Sequence, residues 1–245
     1  LARCAAFLPI GRASRDFYRG YGIEDARLFS APYFVDNERF AQSALTFASQ
    51  RDALRERWSI PRDITCFVYA GKFEPKKRLP DLLEAVRIVV SRGARLHLLV
   101  VGTGELEEPV HAFVREHALP VTFAGFLNQG EIAAAYVAAD ALVLPSDFGE
   151  TWGLVVNEAM ACGRPAIVSD RVGCGPDLVT PGETGECFAF GDTAALASLL
   201  LAGAADPSRL RFMGKAARER VLTKYTAARA VEGTLRAIDW ARQHS

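Results

Sequence analysis

Two carboxylates stand out among the residues whose types and spacing could do chemistry. Glu158 lies eight residues after Glu150. If Glu150 stands just before a helix, Glu158 lies about two turns into it. The neighbours of Glu158 in that helix are small or apolar, and a carboxylate in such a setting needs a partner. The sequence leaves two partners open, which are a ligand hydroxyl and a buried Lys or Arg.

A basic stretch supplies the opposite charge. Four of the eight residues in 71–78 are Lys or Arg, and Gly71 opens the stretch directly after an apolar run. Lys72 and Lys77 could converge on a phosphate as point charges. A solvated basic loop is the alternative interpretation. The stretch lacks the GxxxxGK[ST] pattern and is therefore not a P-loop.

A second glycine pair, Gly102 and Gly104, resembles the first half of a dinucleotide fingerprint. Glu107 stands where the third glycine of that fingerprint would be, which argues against a Rossmann dehydrogenase. We therefore predict a tight turn between a strand and a helix, close to a ligand.

Apolar strand-like runs alternate with amphipathic helical patterns and must position these loops. The runs cover residues 64–70, 96–101, 121–123, 141–144, 166–169 and 185–190, and the helical patterns cover 42–57, 80–93, 105–117, 130–139, 152–161 and most of 193–242, with a turn or short helix near 176–178. This alternation predicts an α/β fold, a Rossmann-like doubly wound parallel sheet of about six strands with helices on both faces. Such sheets bind ligands at the carboxyl ends of their strands.

Composition restricts the function classes. The chain is 50% hydrophobic, which excludes overall disorder, and 29 basic residues balance 29 acidic ones, which argues against a general nucleic-acid surface. The five cysteines form no CxxC pair and no His has ligand spacing, so we expect reduced thiols and no metal. Because no run reaches the length of a membrane span, we predict a cytoplasmic protein, with peripheral attachment to a membrane left open.

The stretch 145–165 resembles the signature of retaining, nucleotide-sugar-dependent glycosyltransferases of the GT-B fold, often called group one or family four. The matching positions are Glu150, Gly153, Glu158, Ala159, Met160, Ala161, Gly163 and Pro165, with Trp152 in place of the usual Phe. Further stretches match in order at 71–77, 101–104, 123–126, 139–146 and 182–185. The resemblance therefore covers the chain from about 71 to 185.

The resemblance implies a role for each matching position. Glu158 would hold the ribose hydroxyls, Glu150 would face the donor sugar, and Lys72 and Lys77 would neutralise the diphosphate. The remaining donor-binding positions would be Gly71, Gly102, Gly104, Phe126, Leu127, Thr151, Trp152, Gly153 and Leu154, with the backbone of Phe126 and Leu127 meeting the base and the amides of 151–154 meeting sugar or phosphate. Trp152 could instead pack in the core.

The same resemblance implies a donor substrate and no cofactor or metal. The donor would be a nucleoside-diphosphate sugar, and the acceptor a glycan, lipid or small molecule bound through another domain. Two positions depart from the family pattern, Lys72 for Arg and Arg78 where Gly often follows the Lys. A bidentate phosphate contact is lost with the first.

Stretch 35–40 resembles the family's hinge motif, and the chain begins at Leu1. We therefore expect a fragment: a remnant of an N-terminal domain and hinge in 1–40, a linker helix in 41–61, the donor-binding domain in 62–215 and a C-terminal helix in 216–245. Such a fragment would bind donor with little or no transfer. The alternatives are a nucleotide- or glycan-binding module without turnover, and a phosphorylase, for which no pyridoxal-bearing Lys can be singled out.

Overall fold

Six short segments form one parallel sheet in the computed structural model, which describes residues 4–244. The strands are β1 (Cys66–Ala70), β2 (His97–Val101), β3 (Val121–Gly125), β4 (Ala141–Leu144), β5 (Ala166–Ser169) and β6 (Gly185–Phe188). Their order across the sheet is β3-β2-β1-β4-β5-β6. The order reverses between β1 and β4, and the loops after these strands therefore diverge and leave a crevice between them. The Rossmann-like doubly wound fold predicted from the sequence is confirmed.

Helices cover both faces of the sheet. They are α1 (Arg12–Gly20), α2 (Asn37–Ala48), α3 (Arg51–Arg57), α4 (Leu79–Ser91), α5 (Glu107–Glu116), α6 (Ile132–Ala138), α7 (Leu154–Ala161), α8 (Gly175–Leu178), α9 (Thr193–Ala205), α10 (Pro207–Lys224) and α11 (Ala227–Gln243). Along β1, Phe67 and Tyr69 pack towards α4, α5 and α9, whereas Cys66 and Val68 pack towards α2, α3, α6 and α7. This alternation buries the strand on both faces, which explains its unbroken apolar sequence.

Several element boundaries differ from the sequence expectation. The helical pattern at 42–57 is two helices, because the chain turns at Ser49 and Gln50 between α2 and α3. Helix α2 begins at Asn37, since the Asp36 side chain accepts a hydrogen bond from the Arg39 amide at 3.0 Å and caps the helix. The expected domain boundary at 215/216 falls inside α10.

The N-terminal segment is attached to α8 and to the C-terminal end of α10 by specific hydrogen bonds. Asp177 accepts a hydrogen bond from the Arg12 amide at 2.9 Å, and the Asn37 amide donates to the Val221 and Tyr225 carbonyls at 3.0 and 2.7 Å. Positions 1–3 and 245, which belong to the expected N-terminal remnant and C-terminal helix, lie outside the described residues. Among the helices described in 4–244, none is long and apolar enough to cross a membrane.

Candidate functional site

A cavity of about 940 Å³ opens at the carboxyl ends of β1, β2 and β3. Its walls come from the loops after those strands and from α6 and α7. Seven residues singled out from the sequence line it, namely Gly71, Lys72, Gly102, Gly104, Phe126, Leu127 and Glu158. The wall also includes Glu74, Lys76, Gln129, Ile132, Tyr136 and Val155, which are not among the site residues predicted from the sequence. The cavity is thus large enough for a ligand of drug size or above.

The glycines of the second loop allow it to pack directly on the first loop. A Cβ atom at Gly102 would lie 1.9 Å from the carbonyl oxygen of Gly71, and Gly102 has a φ of +133°. A Cβ atom at Gly104 would lie 2.7 Å from the backbone of Phe73. Backbone hydrogen bonds join the loops, with the Phe73 amide donating to the Thr103 carbonyl at 2.9 Å. These glycines therefore fix the cavity floor through loop-to-loop contact, for which only a hydrogen side chain leaves room.

Glu158 of α7 also lines the cavity, and its hydrogen-bond partner is Tyr136. The Tyr136 hydroxyl donates a hydrogen bond to Glu158 Oε2 at 2.7 Å. Burial raises the pKa of the Glu158 carboxyl, while the Tyr136 hydrogen bond and the charge of Arg39 act to lower it. The sequence left a ligand hydroxyl and a buried Lys or Arg open as partners of Glu158. Among residues 4–244, no Lys or Arg forms a hydrogen bond or ion pair with Glu158. A tyrosine fills one side of the carboxylate instead.

The two predicted catalytic groups Lys77 and Glu150 form an ion pair with each other. The Lys77 ammonium donates a hydrogen bond to Glu150 Oε2, and both side chains are largely buried, at 18% and 13% exposure. The pair stands beside the cavity, and neither residue lies on its wall. The structure therefore brings Lys77 and Glu150 together, and the charge of the lysine is balanced by the carboxylate.

Lys72 and Lys76 face the cavity from the same loop. The Lys72 side chain is 77% exposed and its ammonium lies 3.7 Å from Glu74 Oε1, and the Lys76 ammonium lies 3.3 Å from Glu74 Oε2. Both ammonium groups are accessible to an incoming anion. Both lysines face the same carboxylate, Glu74, and Glu105 of the loop after β2 also lines the cavity.

The side chain of Trp152 does not face the cavity. The indole is 3% exposed, donates a hydrogen bond to Asn157 Oδ1 at 2.8 Å and packs near the rings of Tyr33 and Tyr225. A buried indole N–H needs a hydrogen-bond acceptor, and the side chain of Asn157, five residues further along the chain, supplies it. Of the two roles considered, the core role is the one that the structure has.

The other residues of that stretch also lie outside the cavity wall. Thr151 and Leu154 are exposed, and Gly153 caps the start of α7 with a φ of +100°. The positive φ explains why α7 begins at Leu154 and not at Trp152, since Gly153 cannot continue a right-handed helix in that conformation. The first amides of α7 have no acceptor within the helix, as at every helix start.

Arg78 occupies a strained position in the first loop. Its φ is +55°, in the left-handed region that favours glycine. This accounts for the family preference for Gly at this position. The guanidinium is held by Asp81 through two hydrogen bonds at 2.8 and 2.9 Å.

Within residues 4–244, no group of three His, Cys, Asp or Glu side chains is placed to hold a metal ion.

The sequence of the chain is similar to those of known proteins. A family model described as "Glycosyl transferases group 1" matches residues 50–220. D-inositol 3-phosphate glycosyltransferase 2 of Catenulispora acidiphila is 32% identical over 218 residues, which cover 83% of this chain and 48% of the relative. N-acetyl-alpha-D-glucosaminyl L-malate synthase of Bacillus anthracis is 30% identical over 200 residues, which cover 78% and 50%. The chain therefore spans about half the length of the curated relatives it matches.

Solved structures share the fold. Sucrose-phosphate synthase of Thermosynechococcus elongatus superposes with a TM-score of 0.75 at 27% identity, covering 96% of this chain and 58% of that one. Anabaena Alr3699/HepE in complex with UDP superposes with a TM-score of 0.80 at 16% identity, covering 96% and 64%. At that identity the second likeness concerns the fold alone.

Proposed function

The chain belongs to the group 1 glycosyl transferases of the GT-B fold, and from that premise we propose that its cavity binds a nucleoside-diphosphate sugar as donor. The observation that carries the proposal is that one cavity is lined both by a carboxylate and by lysines. Glu158, held by Tyr136, lines it from α7, and Lys72 and Lys76 line it from the loop after β1. The hydroxyl-bearing and the anionic parts of one ligand would meet these two parts of the lining. Structural relatives solved with UDP or UDP-glucose support a donor of this class.

The nucleoside would bind at the Glu158 wall. A carboxylate has two acceptor oxygens, which suits the two adjacent hydroxyls of a ribose. Phe126, Leu127 and Ile132, which lie between the end of β3 and the start of α6, also line the cavity and offer apolar surface for a base. The ribose and base would therefore lie between α6, α7 and the segment after β3.

The diphosphate would bind at the basic loop. Lys72 and Lys76 are accessible on the wall, and Lys77 would exchange its bond to Glu150 for a phosphate oxygen. The chemical step separates the sugar from the diphosphate, and negative charge grows on that leaving group. Fixed cations and the amides at the start of α7 would stabilise this charge without a metal ion, and loss of one such contact commonly costs about 3 kcal/mol of barrier.

Glu150 would be released towards the sugar when Lys77 turns to the phosphate. Its carboxylate would then accept hydrogen bonds from sugar hydroxyls. Transfer would go to a hydroxyl of a glycan, lipid or small molecule with retention at the anomeric carbon, and the leaving phosphate would take the acceptor proton. The reaction needs no cofactor in this scheme.

Calorimetric titration of UDP, GDP and ADP tests the site. We expect Glu158→Gln to weaken the binding of the preferred diphosphate by a factor of about 10 to 100, as for a lost hydrogen bond to a charged group. Lys77→Ala should weaken the diphosphate more than the corresponding nucleoside. Glu116→Gln, an exposed change on α5, serves as the matched control. Unchanged titrations in both site variants would show that this site map is wrong.

A further inference from the structure

We infer that Tyr136 is a positioning residue, which fixes one oxygen of Glu158 so that the carboxylate presents its other oxygen to a pair of ligand hydroxyls. This inference rests on the proposed function, because it concerns how the same wall selects ribose. The residue was not selected from the sequence, where a tyrosine in the run Ile132–Ala138 is typical of a core position.

The geometry carries the argument. Tyr136 is completely buried and is the one residue with a polar side chain in α6. Its hydroxyl donates to Glu158 Oε2 at 2.7 Å, and no donor from the described residues 4–244 reaches Glu158 Oε1. Both residues line the cavity. The hydroxyl therefore restricts rotation of the carboxylate and leaves Oε1, with the remaining lone pair of Oε2, for a ligand.

The direction of this hydrogen bond is fixed. Burial raises the pKa of the Tyr136 hydroxyl well above its ordinary value, so that Tyr136 remains protonated and acts as donor. An ionised carboxylate can only accept, and this bond favours the ionised form. A protonated Glu158 would donate a hydrogen bond through its O–H group, and that oxygen could no longer serve as the acceptor for a ligand hydroxyl.

Three groups face Glu158 from the elements packed against it. They are Tyr136 on α6, Arg39 on α2 and Cys162, the residue that follows the last residue of α7. The Cys162 thiol is neutral at ordinary pH, because burial raises its pKa to about 12. Tyr136 and Arg39 are therefore the two groups that oppose the effect of burial on Glu158, and removal of the Tyr136 hydroxyl leaves Arg39 alone.

The test compares UDP with 2′-deoxy-UDP in calorimetric titrations over a range of pH. The proteins are the unmodified chain, Tyr136→Phe, Glu158→Gln and the double variant. Phe keeps the ring that packs near Phe40, with centroids 6.4 Å apart. Tyr225→Phe is the matched control, since it also removes a tyrosine hydrogen bond, to the Asp177 carbonyl at 3.0 Å, at a place outside the cavity. Thermal melting checks folding, and Tyr136→Met replaces the Phe variant if that variant folds poorly.

We expect Tyr136→Phe to weaken UDP about tenfold, the lower end for a hydrogen bond to a charged group, and to weaken 2′-deoxy-UDP much less. On acidification its UDP affinity should fall at a higher pH than in the unmodified chain, because the Glu158 pKa rises further. The double variant should bind no more weakly than Glu158→Gln, since Tyr136 acts through Glu158.

Three results would decide against the inference, and one of them separates it from the proposed function. If Tyr136→Phe binds UDP with the same affinity and pH profile as the unmodified chain, while Glu158→Gln binds UDP more weakly, the role of Tyr136 is overturned and the proposed donor site is not. Equal weakening of both nucleotides, or additive losses in the double variant, would show a merely structural role. Unmodified UDP binding in Glu158→Gln would instead overturn the proposed function itself.

Discussion

Asp140 is expected to be one of the side chains on which folding depends most. It stands just before β4, at the amino edge of the sheet, where three arginines meet one carboxylate. Asp140 accepts a hydrogen bond from Arg51 at 2.7 Å and from the Cys66 amide at 2.9 Å, and Arg55 lies 3.8 Å away. Burial lowers the pKa of the Arg164 guanidinium, on which the charge of Asp140 acts in the opposite direction. Replacing Asp140 by Asn keeps the shape and removes the charge.

The magnitude follows from burial. The Arg55 side chain is 3% exposed and that of Asp140 is 12% exposed, so little water can replace the lost charge. Removing one partner of a buried pair commonly costs about 3–5 kcal/mol, because the other charge stays buried and uncompensated. Since Asn can still accept from the Cys66 amide, we expect the lower end, about 3 kcal/mol of the free energy of unfolding.

Urea denaturation followed by circular dichroism measures this loss. Asp63→Asn is the matched control, because Asp63 pairs with Arg95 at 3.4 Å with both side chains 70% exposed. That exposed pair should contribute less than about 1 kcal/mol. A loss in Asp140→Asn as small as that of the control would refute the view that the buried charge holds this edge together.

Three further changes give expected outcomes in denaturation experiments. Ala118 is exposed and has a φ of +48°, which glycine adopts without strain, so Ala118→Gly should raise the free energy of unfolding by about 1 kcal/mol. Ala112→Gly inside α5 is the control and should lower that free energy by about 1 kcal/mol, and equal effects of the two changes would contradict the prediction. Gly102→Ala should destabilise by about 3 kcal/mol because its Cβ would lie 1.9 Å from a carbonyl oxygen, and an unchanged melting temperature would refute the contact. Burial, and then the charge of Arg55, lower the pKa of the His97 imidazole to about 4. The unfolded chain therefore binds a proton at His97 before the folded chain does, and the free energy of unfolding should fall by about 3 kcal/mol as the pH drops from about 6.5 to 4. His97→Gln should lose less stability over the same pH range.

The fold was readable because its signals are local. The strands have four or five residues, and all but β6, which contains Glu186, are mainly apolar runs, while the strand-end loops carry their own glycines or charges. Errors arose where a side-chain cap or a single backbone angle sets the boundary. The Asp36 cap starts α2 before its apolar pattern begins, and the positive φ of Gly153 delays α7 by two residues.

The candidate site was partly predictable, since seven of the residues proposed from the sequence line the cavity. Trp152 was assigned to donor binding by its place in a motif, and its side chain turns into the core because Asn157 offers the indole an acceptor. Tyr136 was missed because its neighbours in sequence are small and apolar, which makes a core position the natural interpretation.

The sequence by itself determined the order of strands and helices, the loops at the carboxyl edge and the identity of the charged groups on them. Only the tertiary structure decided which of those groups meet. Lys77 bonds to Glu150 across 73 positions, and Tyr136 bonds to Glu158 across 22. The physical reason is that periodicity fixes which face a residue lies on, whereas the direction of a side chain depends on the packing of elements distant in the chain.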